Sequence, residues 1–284
     1  MRTRFAPSPT GPLHLGHAYS AILAHGLARA AGGTFLLRME DTDLARCKPE
    51  WEALIIDDLR WLGLGWDGPV RRQSGRIAQY NMRLEALAQS GLVYPCSCSR
   101  ADIRAASSAP QEGVAFDVYP GICRGRPMGD RQPGDALRLD LAAAFDHLCG
   151  RHIGFDESGP RHGGHIEIDA DLAKATIGDV VLSRKGEDIV SYFLASAFDD
   201  ADQAISHVIR GEDLFRFTPI QVILQGLLDL PTPAYYHHEL IRDPSGHRLA
   251  KRDDARAIRK YRQDGISPAE IRAMVGLQDV SANR

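Results

Sequence analysis

The 284-residue chain has no apolar run approaching the length of a membrane span, and its N-terminus shows no secretory leader. That excludes a helical membrane protein and makes the cytoplasm the expected location. Cysteine is scarce. Five residues, one left over from any pairing scheme, do not form a disulfide framework, so a reducing compartment with thiols free for a metal fits better. Excess positive charge is also lacking. With a net charge of −3 the protein cannot coat nucleic acid by bulk charge, and any RNA contact must use a local basic patch. What remains is ordinary globular material, 44% hydrophobic and 25% charged, long enough for one sizeable core plus an appended or inserted module.

The most informative stretch is the first. Met1 to Phe5 can form a short strand, and Pro7, Pro9, Gly11 and Pro12 then forbid helix and impose a rigid turn. Leu15, Tyr19, Ile22, Leu23 and Leu27 follow at helical spacing, so His14 and His17 fall in the first helical turn, on one face. Two imidazoles beside the open N–H groups of a helix N-terminus suit a phosphate-bearing ligand, and Gly16 leaves room for a flat group against the backbone. Taken alone, the histidine pair divides about evenly between such a ligand site and the plainer readings, a proline-rich turn with two surface histidines or a histidine pair that binds metal. Thr34 to Arg38 is a second strand, and strand–helix–strand over this length is the unit of a parallel sheet. Glu40, Asp41 and Asp43 lie at its carboxyl end, the edge where open α/β sheets bind ligands, although three such acids also suit a solvated helix start.

Pro49–Leu62 and Arg76–Gln89 read as packing helices. Cys96, Cys98 and Cys123 bracket an Ala/Ser-rich stretch and could bind Zn²⁺ if a fourth ligand is present; the alternative is three unconnected thiols. Cys47 and Cys149 are ordinary thiols. From 124 to 188, Ala136–Leu141 and Gly178–Arg184 read as strands, while His152, His162 and His165 lack ligand-like spacing and read as a solvated loop. Tyr192 begins a buried segment, and Ser206–Arg210 is a strand ending in a cation. Helix Pro219–Leu228 and a strand within Tyr235–Ile241 precede a basic loop, Asp243–Arg252. The tail, Ala255–Val275, reads as helix and carries Arg256, Arg259, Lys260, Arg262 and Arg272 as candidates for RNA phosphates.

Arg4-Phe5-Ala6-Pro7-Ser8-Pro9-Thr10-Gly11 with His14-Leu15-Gly16-His17, followed by Arg38-Met39-Glu40-Asp41-Thr42-Asp43, resembles the opening blocks of the glutamyl-tRNA synthetase family of class I aminoacyl-tRNA synthetases. Trp61–Asp67 and Gln73-Ser74 extend the likeness, which is strong at both ends and weaker from about 124 to 188. The resemblance implies an α/β fold: a Rossmann-type parallel-sheet core, 1–90 and 189–250, interrupted at 91–188 by a zinc-bearing, acceptor-end-like insertion and closed by a basic loop and helical tail, 251–284. It implies that His14, Gly16, His17 and Lys251 bind ATP, with His14, His17 and Lys251 stabilising the reaction. Arg4, Ala6, Ser8, Glu40, Tyr192 and Arg210 would hold glutamate, Glu40 at its ammonium group and Arg210 as a fork on its side-chain carboxylate. The basic loop stands where the family has Lys-Met-Ser-Lys-Ser. Arg248 replaces the first Lys and Ala250 the Ser, while Lys251 keeps the second Lys and, with it, charge for a pyrophosphate leaving group.

In one branch, the glutamyl-Q tRNA(Asp) synthetases, Cys-x-Cys followed by Tyr-x-x-x-Cys supplies zinc ligands, a pattern that Cys96, Cys98, Tyr119 and Cys123 fit. The absence of an anticodon-binding domain after the tail points to the same branch. The expectation is then a monomeric enzyme with one structural zinc. It uses ATP with Mg²⁺ to activate L-glutamate and transfers it to the queuosine base in the anticodon of tRNA(Asp). The competing expectations are charging of tRNA(Glu) at its 3′ end and a synthetase-like binding module without catalysis.

Overall fold

Strand β1 (Arg2–Phe5), helix α1 (Leu15–Ala30) and strand β2 (Thr34–Met39) form the expected parallel unit, in register from Arg2 opposite Thr34 to Phe5 opposite Leu37. The computed structural model describes residues 1–99, 101–103, 118–184, 189–241 and 256–277. The buried face of α1 is built largely from alanines: Ala18, Ala21, Ala24 and Ala28 are fully buried, while Tyr19, Leu23 and Leu27 pack at the margins. Small side chains let the helix sit close on the sheet, and Thr3 Oγ1 reaches the Ala24 carbonyl at 2.9 Å. Helix α2 (Pro49–Trp61) starts on a proline, as such helices can, and leads to β3 (Arg71–Arg72), parallel to β2. Helix α3 (Ile77–Gln89) closes the first half.

Strands β4 (Val93–Cys96), β5 (Ala136–Leu139) and β8 (Val181–Ser183) make a separate antiparallel sheet. Between β5 and β8 lie helix α4 (Leu141–His147), strands β6 (Gly154–Glu157) and β7 (Gly164–Glu167), and helix α5 (Ala170–Thr176). The core resumes with helix α6 (Tyr192–Asp202), strand β9 (His207–Gly211), helix α7 (Thr218–Leu227) and strand β10 (Ala234–His238). β9 and β10 pair in parallel, placing Arg210 beside His237. The two halves of the core meet where Ser206 N donates to Arg2 O at 3.0 Å and Arg2 N to Ser206 Oγ at 2.8 Å. Among the described residues no helix is long and apolar enough to cross a membrane.

The structure departs from the sequence expectation in two places. The stretch holding His152, His162 and His165 is not a solvated loop. β6 and β7 form a hairpin, and β6 joins the core sheet in parallel with β10, Tyr235 opposite Glu157. The tail is two short helices, α8 (Ile258–Gln263) and α9 (Pro268–Met274), because Gly265 takes a positive φ of 80° that ends the first of them. Its basic residues are partly committed within the fold: Arg256 and Lys260 pair with Asp264, Arg262 with Asp57, and Arg272 with the Leu62 carbonyl.

A buried ionic network fastens the core beneath the strand ends. Asp200, 2% exposed, accepts from Arg4 Nε at 3.0 Å and from Arg38 at 2.8 Å. Asp199, fully buried, accepts from Tyr80 Oη at 2.7 Å and Gln73 Nε2 at 3.0 Å, and faces Arg71 at 3.3 Å. Charges this deep persist only when paired on several sides, and removing one partner from such a cluster typically costs about 3–5 kcal/mol.

Candidate active site and metal centre

The carboxyl ends of β1, β2, β9 and β10 open into a cavity of about 410 Å³. Its lining includes Arg4, Ala6, Ser8, His14, Gly16, His17, Glu40, Tyr192 and Arg210, so residues up to 206 positions apart in sequence share one wall. Lys251, with Arg248 and Ala250, lies outside the described residues.

His14 caps α1. Its Nδ1 accepts from Gly16 N at 3.1 Å, and the His17 Nδ1 accepts from His14 N at 3.2 Å. This reciprocal capping box occupies the His14 and Gly16 amides and leaves the proton of each neutral imidazole on Nε2, making two side-chain donors at the helix N-terminus. The rings lie 3.7 Å apart, centre to centre. The proline-rich turn is pinned to the acidic loop, Glu40 N donating to Pro7 O at 3.0 Å and Lys48 N to Pro9 O at 3.1 Å. From the tail, Ile258 N donates to Leu13 O at 2.8 Å, bracing the turn from behind.

Glu40 sits at the end of β2 beside the buried network, 3.4 Å from Arg38. Burial pushes its carboxyl up to about 7, partly offset by Arg38 and Arg4 and reinforced by Asp200. Asp41 is held by Ser74 N at 2.8 Å and Ser74 Oγ at 2.6 Å, and Asp43 by Arg46 at 2.6 Å and Arg184 at 2.9 Å. Those two acids fasten loops. Arg210, 5% exposed, donates to Gln221 at 2.6 Å, Thr218 at 2.7 Å, His237 at 3.0 Å and Tyr192 Oη at 3.3 Å. Most of its five donors are therefore taken. A carboxylate would reach the second N–H of the nitrogen bonded to Thr218, and would compete for the long bond to Tyr192.

The cavity also has lining residues to which the sequence assigns no role: Thr10, within the first motif, and Ser20, Asp213 and His238 outside it. His238 Nδ1 donates to the Glu239 carbonyl at 2.9 Å, so its Nε2 takes the Ser20 hydroxyl at 2.7 Å. The pair of histidines at the carboxyl end of β10, His237 and His238, was the available signal, since that is where such sheets place their ligands.

Away from the cavity, the Sγ atoms of Cys96, Cys98 and Cys123 lie within 4.8 Å of one another. Tyr119 Oη stands 3.5 Å from both Cys96 Sγ and Cys98 Sγ, and accepts from Cys123 N at 2.8 Å. A tetrahedral zinc with bonds of about 2.3 Å to sulfur has ligand-to-ligand edges of about 3.5–3.8 Å; the Cys96–Tyr119, Cys98–Tyr119 and Cys98–Cys123 separations, each 3.5 Å, are of that size. Arg138 adds a cation, its Nε 3.3 Å from Cys96 Sγ and its guanidinium 3.7 Å from the Tyr119 ring centre. Burial pushes Cys98 up to about 11 and raises Tyr119. Burial would raise Cys123 too, but hydrogen bonds from Tyr119 and Ser97 outweigh it and hold that thiol at about 6. Cys47 and Cys149 stand apart from this group, as expected.

The sequence profile for tRNA synthetases class I (E and Q), catalytic domain, matches residues 1–124 and 162–284. The chain belongs to this family. Within it, the chain is 59% identical over 286 residues, 98% of its own length and 100% of the relative's, to a glutamyl-Q tRNA(Asp) synthetase of Rhodobacter capsulatus. It is 39% identical to one of Nocardia farcinica, covering 96% of this chain and 82% of that protein. Among solved structures, a glutamate tRNA ligase of Elizabethkingia meningosepticum in complex with its amino acid superposes with a TM-score of 0.77 at 27% identity. That alignment covers 98% of this chain but only 60% of the ligase. The chain is thus a class I synthetase whose parallel core holds the cavity at its strand ends. The class I profile leaves 125–161 unmatched, the stretch that carries β5, α4 and β6.

Proposed function

We propose that this synthetase activates L-glutamate with ATP and transfers it to the queuosine base of tRNA(Asp), working in the cytoplasm. The observation that carries the reading is the 59% identity along the whole of a glutamyl-Q tRNA(Asp) synthetase. A cavity lined by nine residues that fit the two small substrates supports it.

In the first step the α-carboxylate of glutamate attacks the α-phosphate of ATP. The bond to the β-phosphate breaks, and pyrophosphate leaves. No covalent help from the protein is needed; positioning and charge stabilisation carry the catalysis. His14 and His17 direct Nε2 donors at the phosphates, and Gly16 lets the nucleotide lie against the helix. Lys251 offsets charge on the departing pyrophosphate. Glu40 receives the ammonium group and Arg210, with Tyr192, the side-chain carboxylate; Arg4, Ala6 and Ser8 complete the wall. In the second step the modified base attacks the activated carbonyl and AMP leaves. Magnesium supplied with ATP would screen its phosphates.

The donors at the thiol cluster fit zinc. Cys96, Cys98, Tyr119 and Cys123 would hold it, closed to water, as a structural tie between β4 and the segment around residue 119. The test is to incubate queuosine-containing tRNA(Asp) with the enzyme, ATP and glutamate, digest it, and weigh the fragments. Glutamate on the anticodon fragment supports the reading. Glutamate on the 3′-terminal fragment of tRNA(Glu) alone replaces it with a glutamate tRNA ligase activity, and glutamate on neither, with no ATP–pyrophosphate exchange, leaves a binding module.

A further inference from the structure

Behind Arg210 runs a chain of hydrogen bonds that ends on the β6 hairpin. Arg210 Nε always carries its proton and donates to His237 Nε2 at 3.0 Å, so that ring nitrogen is unprotonated. The proton of His237 is then on Nδ1, which donates to Glu157 Oε2 at 2.5 Å. The other oxygen of Glu157 is fixed by backbone amides, Gly159 N at 2.6 Å and His237 N at 3.0 Å. Both side chains are fully excluded from solvent. The ring is further confined by Tyr235, stacked at 5.8 Å, and by Phe215, edge-on at 5.2 Å. Burial and the neighbouring Arg210 charge hold His237 down at about 4, which agrees with a neutral ring.

We propose that Glu157 is a positioning residue for amino-acid recognition: it selects the Nδ1–H tautomer of His237, whose Nε2 lone pair then orients the guanidinium of Arg210. The inference rests on the reading that Arg210 grips the side-chain carboxylate of glutamate. Glu157 lies in the stretch that the class I profile leaves unmatched, whereas His237 and Arg210 lie in the matched residues.

The chemistry predicts an unusual sensitivity to a nearly isosteric change. In Glu157→Gln the amide oxygen must stay with the two backbone donors, which turns the NH₂ group toward His237 Nδ1. That nitrogen must now accept, the ring proton moves to Nε2, and Nε2–H faces Arg210 Nε–H while competing with the guanidinium for Thr218 Oγ1, which lies 3.1 Å from Nε2 and accepts from Arg210 at 2.7 Å. Two donors repel, and the guanidinium swings out of line. The experiment measures glutamate-dependent ATP–pyrophosphate exchange together with ¹⁵N shifts of the imidazole rings. In Glu157→Gln we expect the KM for glutamate to rise roughly tenfold or more, the scale of one misdirected charged hydrogen bond, with the KM for ATP unchanged. The ¹⁵N pattern of His237 should invert relative to the parent. His237→Gln, whose amide oxygen can accept from Arg210 without help from Glu157, should keep the KM for glutamate within about threefold, whereas His237→Leu should not. A glutamate KM unmoved in Glu157→Gln while Arg210→Lys raises it overturns the positioning role alone. If neither variant moves it, the reading of Arg210 falls, and the positioning role with it. An Nε2–H tautomer in the parent enzyme overturns the proposal even where Glu157→Gln does not fold.

Discussion

Lowering the pH from about 7.5 to about 6 should weaken the enzyme's hold on glutamate through Glu40. Its side chain is 9% exposed, wedged against a network in which Asp200 opposes its charge while Arg38 and Arg4 favour it. Burial prevails and pushes the carboxyl up to about 7. A carboxyl raised in this way favours the folded state fully below its unfolded value near 4.3, and loses that contribution as the pH climbs through 7. The ionised form therefore carries a cost, on the order of 3 kcal/mol, which a bound ammonium group offsets. Binding the ammonium requires the ionised form, so below pH 7 each bound glutamate must displace a proton. The ionised fraction falls from about three quarters to about one tenth over this range, and the KM for glutamate should rise roughly eightfold. The assay is ATP–pyrophosphate exchange at saturating ATP. Glu40→Gln should bind glutamate more weakly at every pH and show no such slope. A KM that is flat across the range, or a slope that survives in Glu40→Gln, refutes the reasoning.

Two further outcomes are expected. Arg210→Lys keeps the charge but replaces a planar set of five donors with three, so kcat/KM for glutamate should fall about 10- to 150-fold, equivalent to roughly 1.5–3 kcal/mol; an unchanged value removes Arg210 from the glutamate site. The purified protein should contain one zinc that Cys98→Ser releases, with a lower melting temperature, while Cys47→Ser and Cys149→Ser retain it; elemental analysis without zinc in chelator-free protein contradicts the centre.

The parts of the fold that were legible in the sequence are those with local causes. The turn before α1, the period of its apolar residues and the strand after it follow from proline, spacing and glycine over a single short stretch. Nine residues of the cavity wall could be named because their motifs lie at strand ends, where sheet topology gathers them. The illegible parts depend on distant partners. β6 and β7 have four residues each, and Glu157 looks like any surface acid until Tyr235, far along the chain, pairs opposite it. Nothing local to Arg38, at the end of its strand, or to Asp199-Asp200 announces a partner far along the chain. Each is buried because the other is there. In the tail, continuous helical composition hid the break at Gly265, since a positive φ depends on how the flanking helices pack.

The site of glutamate attachment tests the central claim most directly. An isolated anticodon stem-loop carrying queuosine, offered with ATP and glutamate, should gain one glutamyl group on the modified base, and the same stem-loop with unmodified guanosine should gain none. A stem-loop that accepts nothing while tRNA(Glu) is charged at its 3′ end would contradict the account.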